Sequence, residues 1–358
     1  MGLRNRVLLS SSSFRGPDGV RTVAEISESL PEAKFLFDVH HVDNILAADH
    51  LNGGVAGYNN APLFSINRNS GPKHVDISLI QCFFGKNHLQ TKAVENALRF
   101  TSLSDPRPVD WVFVEAQRNE GDAKFKWVVN LGAKYVFVRI ENDRQDYFIK
   151  EQLWNIGTLH AKTDNLVFVD ADVAYCQSDW LRSVEGTFRE GCQLFQPHAW
   201  SWRASEPDGF KGAAMRINYL NLTESFAHMR KIDKPLCNFN GHTGYDIAIS
   251  RRHYKNVGGF YSLTCTGGDF LIWSLLANDK FIVGHPLENL MRKIVGKHPI
   301  PVVKIGCSDL SCFHLHHGSA DVREKMYGTD VDIIKSSSTP EKYVTNNFGM
   351  DGIAEVGE

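Results

Sequence analysis

No run of 18 apolar residues occurs anywhere in the 358-residue sequence, so no segment has the length of a membrane-spanning helix. The amino terminus, MGLRNRVLLSSSSF, offers two arginines but only a three-residue apolar run, too short for the core of a signal peptide. Met1-Gly2 opens a myristoylation pattern, yet Arg6 stands where Ser or Thr is needed. Charge of one sign is missing too: the formal net charge is -2, which excludes a global field drawing the chain to nucleic acid or an anionic membrane, although not a local basic patch. Seven scattered cysteines contain no CxxC pair, which argues against a disulfide framework or a structural zinc site. Internal repeats and low-complexity tracts are absent as well. These absences leave a soluble globular protein with the reducing cytoplasm as its expected home.

What is present is a core. At 42% apolar and 22% charged residues the chain can bury one large domain or two ordinary ones. From Val75 onward VDISLIQCFF, WVFVEA, YVFVRI and NLVFV are β-rich runs separated by segments of helical spacing, which predicts an α/β fold with a mainly parallel sheet wrapped by helices. One predicted helix puts Leu89, Ala93, Ala97 and Phe100 on a face with Val94 and Leu98 beside them; another lines up Ile149, Leu153, Ile156 and His160, leaving Lys150, Glu151 and Asn155 off the stripe. Residues 1–72, rich in Ser, Gly and Asn with FLFDVHHV as one predicted strand, read as an amino-terminal extension. Residues 73–320 form the predicted domain, and 321–358 a tail expected to be irregular.

The chemistry gathers where strands end. NLVFVDADVAY places Asp170 and Asp172 at the carboxyl end of a predicted buried strand, where ligands of parallel sheets collect. Two carboxylates on one short turn repel unless a cation joins them, so Mg or Mn with a phosphate ligand is the natural partner. An Asp in such a turn can also simply cap the next helix. Farther on, NGHTGYDIAISRRHYKNVGGF reads as a glycine-punctuated loop, a short strand and a helix from Arg251 that ends before Gly258 and Gly259. In TCTGGDFLIWSLL, Gly267 and Gly268 precede Asp269, which is an N-cap in the plain reading and a general base where a substrate approaches the glycines. CFHLHHGS supplies His314, His316 and His317, a density of imidazole that suits Mn better than Mg.

Taken in order, KEQLWNIG, VFVDADV, GYDIAISRR with VGGF, TGGD and FHLHHGS make residues 75–320 resemble the GT-A nucleotide-sugar-dependent glycosyltransferases. The later part is most like galactosyltransferase-type and polypeptide N-acetylgalactosaminyltransferase-type enzymes, and like soluble bacterial and phage members. The resemblance implies a GT-A (Rossmann-like) mixed sheet flanked by helices. It makes Asp172 and His314 ligands of Mn2+ or Mg2+, Asp170 a contact to the ribose or the metal, and His317 a neighbour of the diphosphate. Lys150 and Asn155 match positions lining the nucleotide pocket. The ends of the first three strands, with Gln81, Cys82, Phe83, Glu115, Arg139 and Glu141, would face base and ribose. Asp269, beside Gly268, matches the base of inverting members, although the family block reads GGED or GED and this chain has a single acid. The implied reaction moves a hexose from a UDP-sugar to an acceptor hydroxyl with inversion.

Trp200, Trp202, Arg203 and Tyr219 add aromatic and basic groups that stack on sugars or bases, or pack in a core. The acceptor stays open among a cytoplasmic glycan or lipid-linked sugar, a protein, and hydroxymethylated pyrimidine in DNA. Two rival readings draw on the same residues. VFVDADVAY also resembles the nucleophile motif of haloacid dehalogenase-type phosphatases, but Ala174 replaces its Thr or Val and three predicted strands come first. A catalytically silent nucleotide-sugar-binding protein would have no use for Asp269 and the histidines.

Overall fold

The computed structural model describes residues 20–21, 66–67, 72–84, 88–118, 122–140, 150–175, 177–204, 217–231, 243–256, 258–260, 269, 272–273, 303–314 and 353–356. In chain order these form β1 (Val20–Arg21), β2 (Ile66–Asn67), β3 (His74–Phe83), α1 (His88–Ser102), β4 (Arg107–Arg118), a 3-10 turn (Lys126–Leu131), β5 (Lys134–Ile140), α2 (Lys150–His160), β6 (Asn165–Val169) and β7 (Val173–Tyr175). They continue with α3 (Trp180–Arg189), β8 (Leu194–Ala204), β9 (Ile217–Glu224), α4 (Phe226–Lys231), β10 (Asp246–Ser250), α5 (Arg251–Asn256), β11 (Ile305–His314) and β12 (Ile353–Val356). The predicted FLFDVHHV strand lies outside the described residues.

Ten of these strands make one mixed sheet in the order β12-β5-β4-β3-β6-β10-β8-β11-β7, with β9 added on β8. Neighbours β5, β4, β3 and β6 are mutually parallel, and β8 and β11 run the same way because β10 is antiparallel to both β6 and β8. The predominance of one direction is what the alternation of β-rich and helical segments predicts. A parallel strand is covered on both faces, which is why these segments are continuous apolar runs instead of alternating ones.

The pleat divides those runs between two cores. Leu166 and Phe168 of β6 join Ile80 and Cys82 of β3 in a core closed by Leu153, Trp154 and Ile156 of α2 together with Phe260, Ile272 and Trp273. Val167 and Val169, with Ile77 and Leu79, face the opposite side, where Val94 and Leu98 of α1 and Trp180, Leu181 and Val184 of α3 pack. The result is helix, sheet, helix, and the carboxyl ends of β3, β6 and β11 emerge along one edge.

Two expectations change. The one-sided stripe predicted for α2 is corrected: every residue from Lys150 to Thr158 is buried, because the face that periodicity assigns to solvent is covered by elements contributed from later in the chain. The tail is not wholly irregular, since Ile353–Val356 pairs antiparallel with β5 at the sheet edge. Among the described residues no helix is long and apolar enough to cross a membrane.

Candidate functional site

β6 ends at Val169 and the chain reverses at once, the Val173 N–H donating to the Asp170 carbonyl across 3.0 Å before β7 begins. The tight turn projects Asp170 and Asp172 from the sheet edge. The last residue of β11, His314, is in register with Val173, so the imidazole arrives beside Asp172 from a distant part of the sequence. His314 Nε2 lies 3.6 Å from Asp172 Oδ1, both side chains being mostly buried. That separation is too long for a good hydrogen bond, yet two bonds of about 2.1 Å from a shared cation would span it. An anionic oxygen and a neutral imidazole nitrogen are a donor set suited to Mn2+. The pair therefore fits a divalent ion.

Asp170 has a different partner. Its Oδ1 lies 3.1 Å from the Lys150 ammonium and its Oδ2 lies 3.4 Å away, and the same ammonium sits 4.6 Å from the centre of the Trp154 ring. Lys150 begins α2, and its neighbour Glu151 is buried beside it. Burial pushes the Glu151 carboxyl up to about 7; Lys150 opposes the shift, while Asp269 and then Asp170 add to it. Glu151 Oε1 finds no hydrogen-bond partner among the described residues. The Cys82 thiol at the end of β3 is pushed up first by burial and then by Asp170, with Glu151 and Asp172 adding and Lys150 opposing. Carboxylates and one ammonium thus converge on the carboxyl ends of β3 and β6, next to a partly buried Asp269.

Four other predicted positions, Gln81, Phe83, Glu115 and Asn155, are buried. Gln81 is fully buried and accepts the Trp111 indole N–H at 3.0 Å. Phe83 packs its ring 4.6 Å from that of Phe125. Glu115 is a hub: its carboxylate accepts the backbone N–H groups of Lys124 and Phe125 at 2.8 and 2.9 Å and the Tyr135 hydroxyl at 2.7 Å. Asn155 donates to the Phe260 carbonyl at 2.8 Å and accepts both the Phe260 N–H and the Tyr254 hydroxyl. Arg139 lies with its guanidinium 4.9 Å from the centre of the Phe137 ring. Trp200 is partly buried, packed against the core beside the His228 ring. Glu141, Gly268 and His317 lie outside the described residues, as do the side chains of Trp202, Arg203 and Tyr219.

Glu151, Tyr245 and Asp246 are site neighbours that sequence reasoning did not single out. The last two sit inside GYDIAIS, whose glycine and β-rich run signal a strand entry but not a role. Tyr245 has φ 74, a left-handed conformation that costs a bulky residue free energy, and its ring lies 4.6 Å from the His314 ring.

The structure is similar to that of TarS from S. aureus, with a TM-score of 0.41 and 11% identity, covering 74% of this chain and 40% of that one. It is similar to residues 1-349 of TarS in complex with UDP, with a TM-score of 0.42, 12% identity and coverage of 74% and 67%. The glucosyl-3-phosphoglycerate synthase of Mycobacterium tuberculosis, in complex with Mn2+, UDP and phosphoglyceric acid, has a TM-score of 0.38, 12% identity and coverage of 72% and 74%. This chain thus spans less than half the length of the longer TarS chain. No family model matches the sequence, and no curated protein matches it.

Proposed function

We propose that this chain is a metal-dependent glycosyltransferase of the GT-A type, moving a hexose from a UDP-sugar to an acceptor hydroxyl with inversion. The observation that carries the reading is the Asp172–His314 pair, a carboxylate and an imidazole 3.6 Å apart where the sheet's parallel strands end. In this reading Asp172 and His314 hold Mn2+ or Mg2+, which when bound offsets the charge that develops on the departing nucleoside diphosphate. Lys150 sets the orientation of Asp170 through its ion pair, leaving Asp170 to meet the ribose or the edge of the metal site. Asp269 takes the proton from the acceptor hydroxyl as that oxygen attacks the anomeric carbon from the face opposite the leaving group. The domain so used is residues 73–320.

The phosphatase reading is not favoured. It needs Asp170 as the nucleophile of a strand that opens its domain, whereas β3, β4 and β5 of the same sheet precede β6.

The test is a donor-by-acceptor screen with Mn2+ present, read as released nucleotide and as mass gain of the acceptor. Oligosaccharides, proteins and hydroxymethylated DNA are offered as acceptors. A hexose added to any of them supports the transferase, and the acceptor that gains mass identifies the substrate class. UDP-sugar binding with no turnover on any acceptor would leave a silent binding protein, and phosphate release from simple monoesters would restore the phosphatase.

A further inference from the structure

Behind the Asp172–His314 pair lies a second polar cluster that the reaction above does not use. Asp246, the first residue of β10, has no exposed surface. Its Oδ1 is 2.7 Å from His198 Nδ1 on β8, and its Oδ2 accepts the Tyr175 hydroxyl from β7. The ligand-type atoms of His198, Asp246 and Cys312 all lie within 4.8 Å of one another, a spacing that could itself suggest a metal. Both carboxylate oxygens are already engaged by hydrogen bonds, however, and those bonds join three strands. The cluster is built as a clasp.

What the clasp holds is the candidate metal pair. Tyr175 ends the short strand whose first residue, Val173, is in register with His314, and Asp172 immediately precedes Val173. On the other side Asp246 follows Tyr245, whose carbonyl accepts the Asp170 N–H at 2.7 Å and whose ring lies 4.6 Å from that of His314 and 5.8 Å from that of His198. One buried carboxylate therefore ties down the segment carrying Asp172, the backbone of Asp170 and the ring against which His314 rests. Tyr245 keeps its left-handed backbone because both its ring and its carbonyl are committed there.

We propose that Asp246, through Tyr175 and His198, is a positioning residue that sets the spacing between Asp172 and His314 at which the two share a cation. The inference rests on the metal-site reading given above. Groups that orient metal ligands from behind alter metal affinity by about 10- to 100-fold when removed.

The experiment titrates the full chain with Mn2+ and follows the free ion by electron paramagnetic resonance, with thermal unfolding recorded for every variant. Tyr175→Phe removes one hydroxyl and keeps the ring stacked 4.0 Å from Trp180, and Asp246→Asn keeps the shape while removing the charge. Asp172→Ala is the control for the metal site, and Val128→Ala, which opens a cavity under the 3-10 turn, is the control for lost stability alone. The expected result is Mn2+ binding weakened about 10-fold or more in Tyr175→Phe and Asp246→Asn, with Val128→Ala binding as the parent does. Unchanged Mn2+ affinity in folded Tyr175→Phe, where Asp172→Ala has lost binding, overturns the positioning role and leaves the metal site standing. Equal binding by the parent and Asp172→Ala removes the metal-site reading and the positioning role with it. Should Asp246→Asn fail to fold, Tyr175→Phe decides alone.

Discussion

The Lys150 ammonium meets Asp170 at 3.1 Å where both side chains are largely withdrawn from solvent, so each charge depends on the other. Removing one partner of a buried pair strands its mate at a cost of about 3–5 kcal/mol, whereas removing both together is far milder. Lys150→Met and Asp170→Asn should each lower the urea midpoint substantially, and the double variant should recover at least half of the loss. Additive losses in this double-mutant cycle would mean that the two charges do not depend on each other.

Glu151 gives stability a pH dependence opposite to that of an ordinary paired carboxylate. Its pKa is raised from 4.5 in an open chain to about 7 in the fold, chiefly by burial, with Lys150 opposing and Asp269 adding. Between those values the folded state holds a proton that the unfolded state has lost, so this group's contribution is favourable at low pH and declines as pH rises through that window. At about 1.4 kcal/mol per unit the decline amounts to about 3–4 kcal/mol. Glu151→Gln should be more stable than the parent at pH 8 and should lack this downward slope. Denaturant melts across the window measure both, and parallel pH profiles would show that the carboxyl is not desolvated.

The contrast between Asp172 and Glu151 shows what a sequence can and cannot disclose about such a site. NLVFV is apolar on both faces because both faces are covered, which makes strand β6 and the turn that follows legible from composition and length. Asp170 and Asp172 were findable because acids at the tip of a buried strand are conspicuous. Periodicity leaves Lys150, Glu151 and Asn155 off the apolar stripe, since it reports polarity and not what the other side of the helix touches. Phe260, Ile272 and Trp273, which close that side, come from much later in the chain. The family resemblance turns Gln81 and Glu115 toward base and ribose; their bonds to Trp111 across the sheet and to Lys124 and Phe125 after β4 depend on tertiary placement that no spacing encodes. The edge strand Ile353–Val356 is too short to stand out from its irregular surroundings.

Asn155 separates a structural role from a nucleotide contact. Its amide is fully buried and engages the Phe260 N–H, the Phe260 carbonyl and the Tyr254 hydroxyl. Asn155→Leu removes its hydrogen bonds to all three groups at a buried position, each worth about 1–3 kcal/mol. Tyr254→Phe removes only one partner and should cost less than Asn155→Leu. Thermal unfolding ranks the two, and donor KM in the folded fraction of Tyr254→Phe should stay near the parent's value. A raised KM at unchanged stability would instead return this region to the nucleotide pocket.

Gly157 tests how closely α2 must lie on the sheet. A Cβ at this position would come within 2.5 Å of Ile80 Cγ2 and 3.3 Å of Val114 Cγ2. Both obstacles are short β-branched side chains held in strands, with no free rotamer to retreat into. The helix must therefore lift, and overpacking of this kind costs about 1–3 kcal/mol even though Ala is the better helix former. The denaturation midpoint of Gly157→Ala should fall accordingly. Adding Ile80→Ala to relieve the closest contact should recover part of that loss, although alanine at position 80 by itself destabilises the core. The sign of that interaction distinguishes the two explanations for a glycine here: a favourable coupling identifies close helix–sheet approach as its reason, and strict additivity would point to the backbone itself.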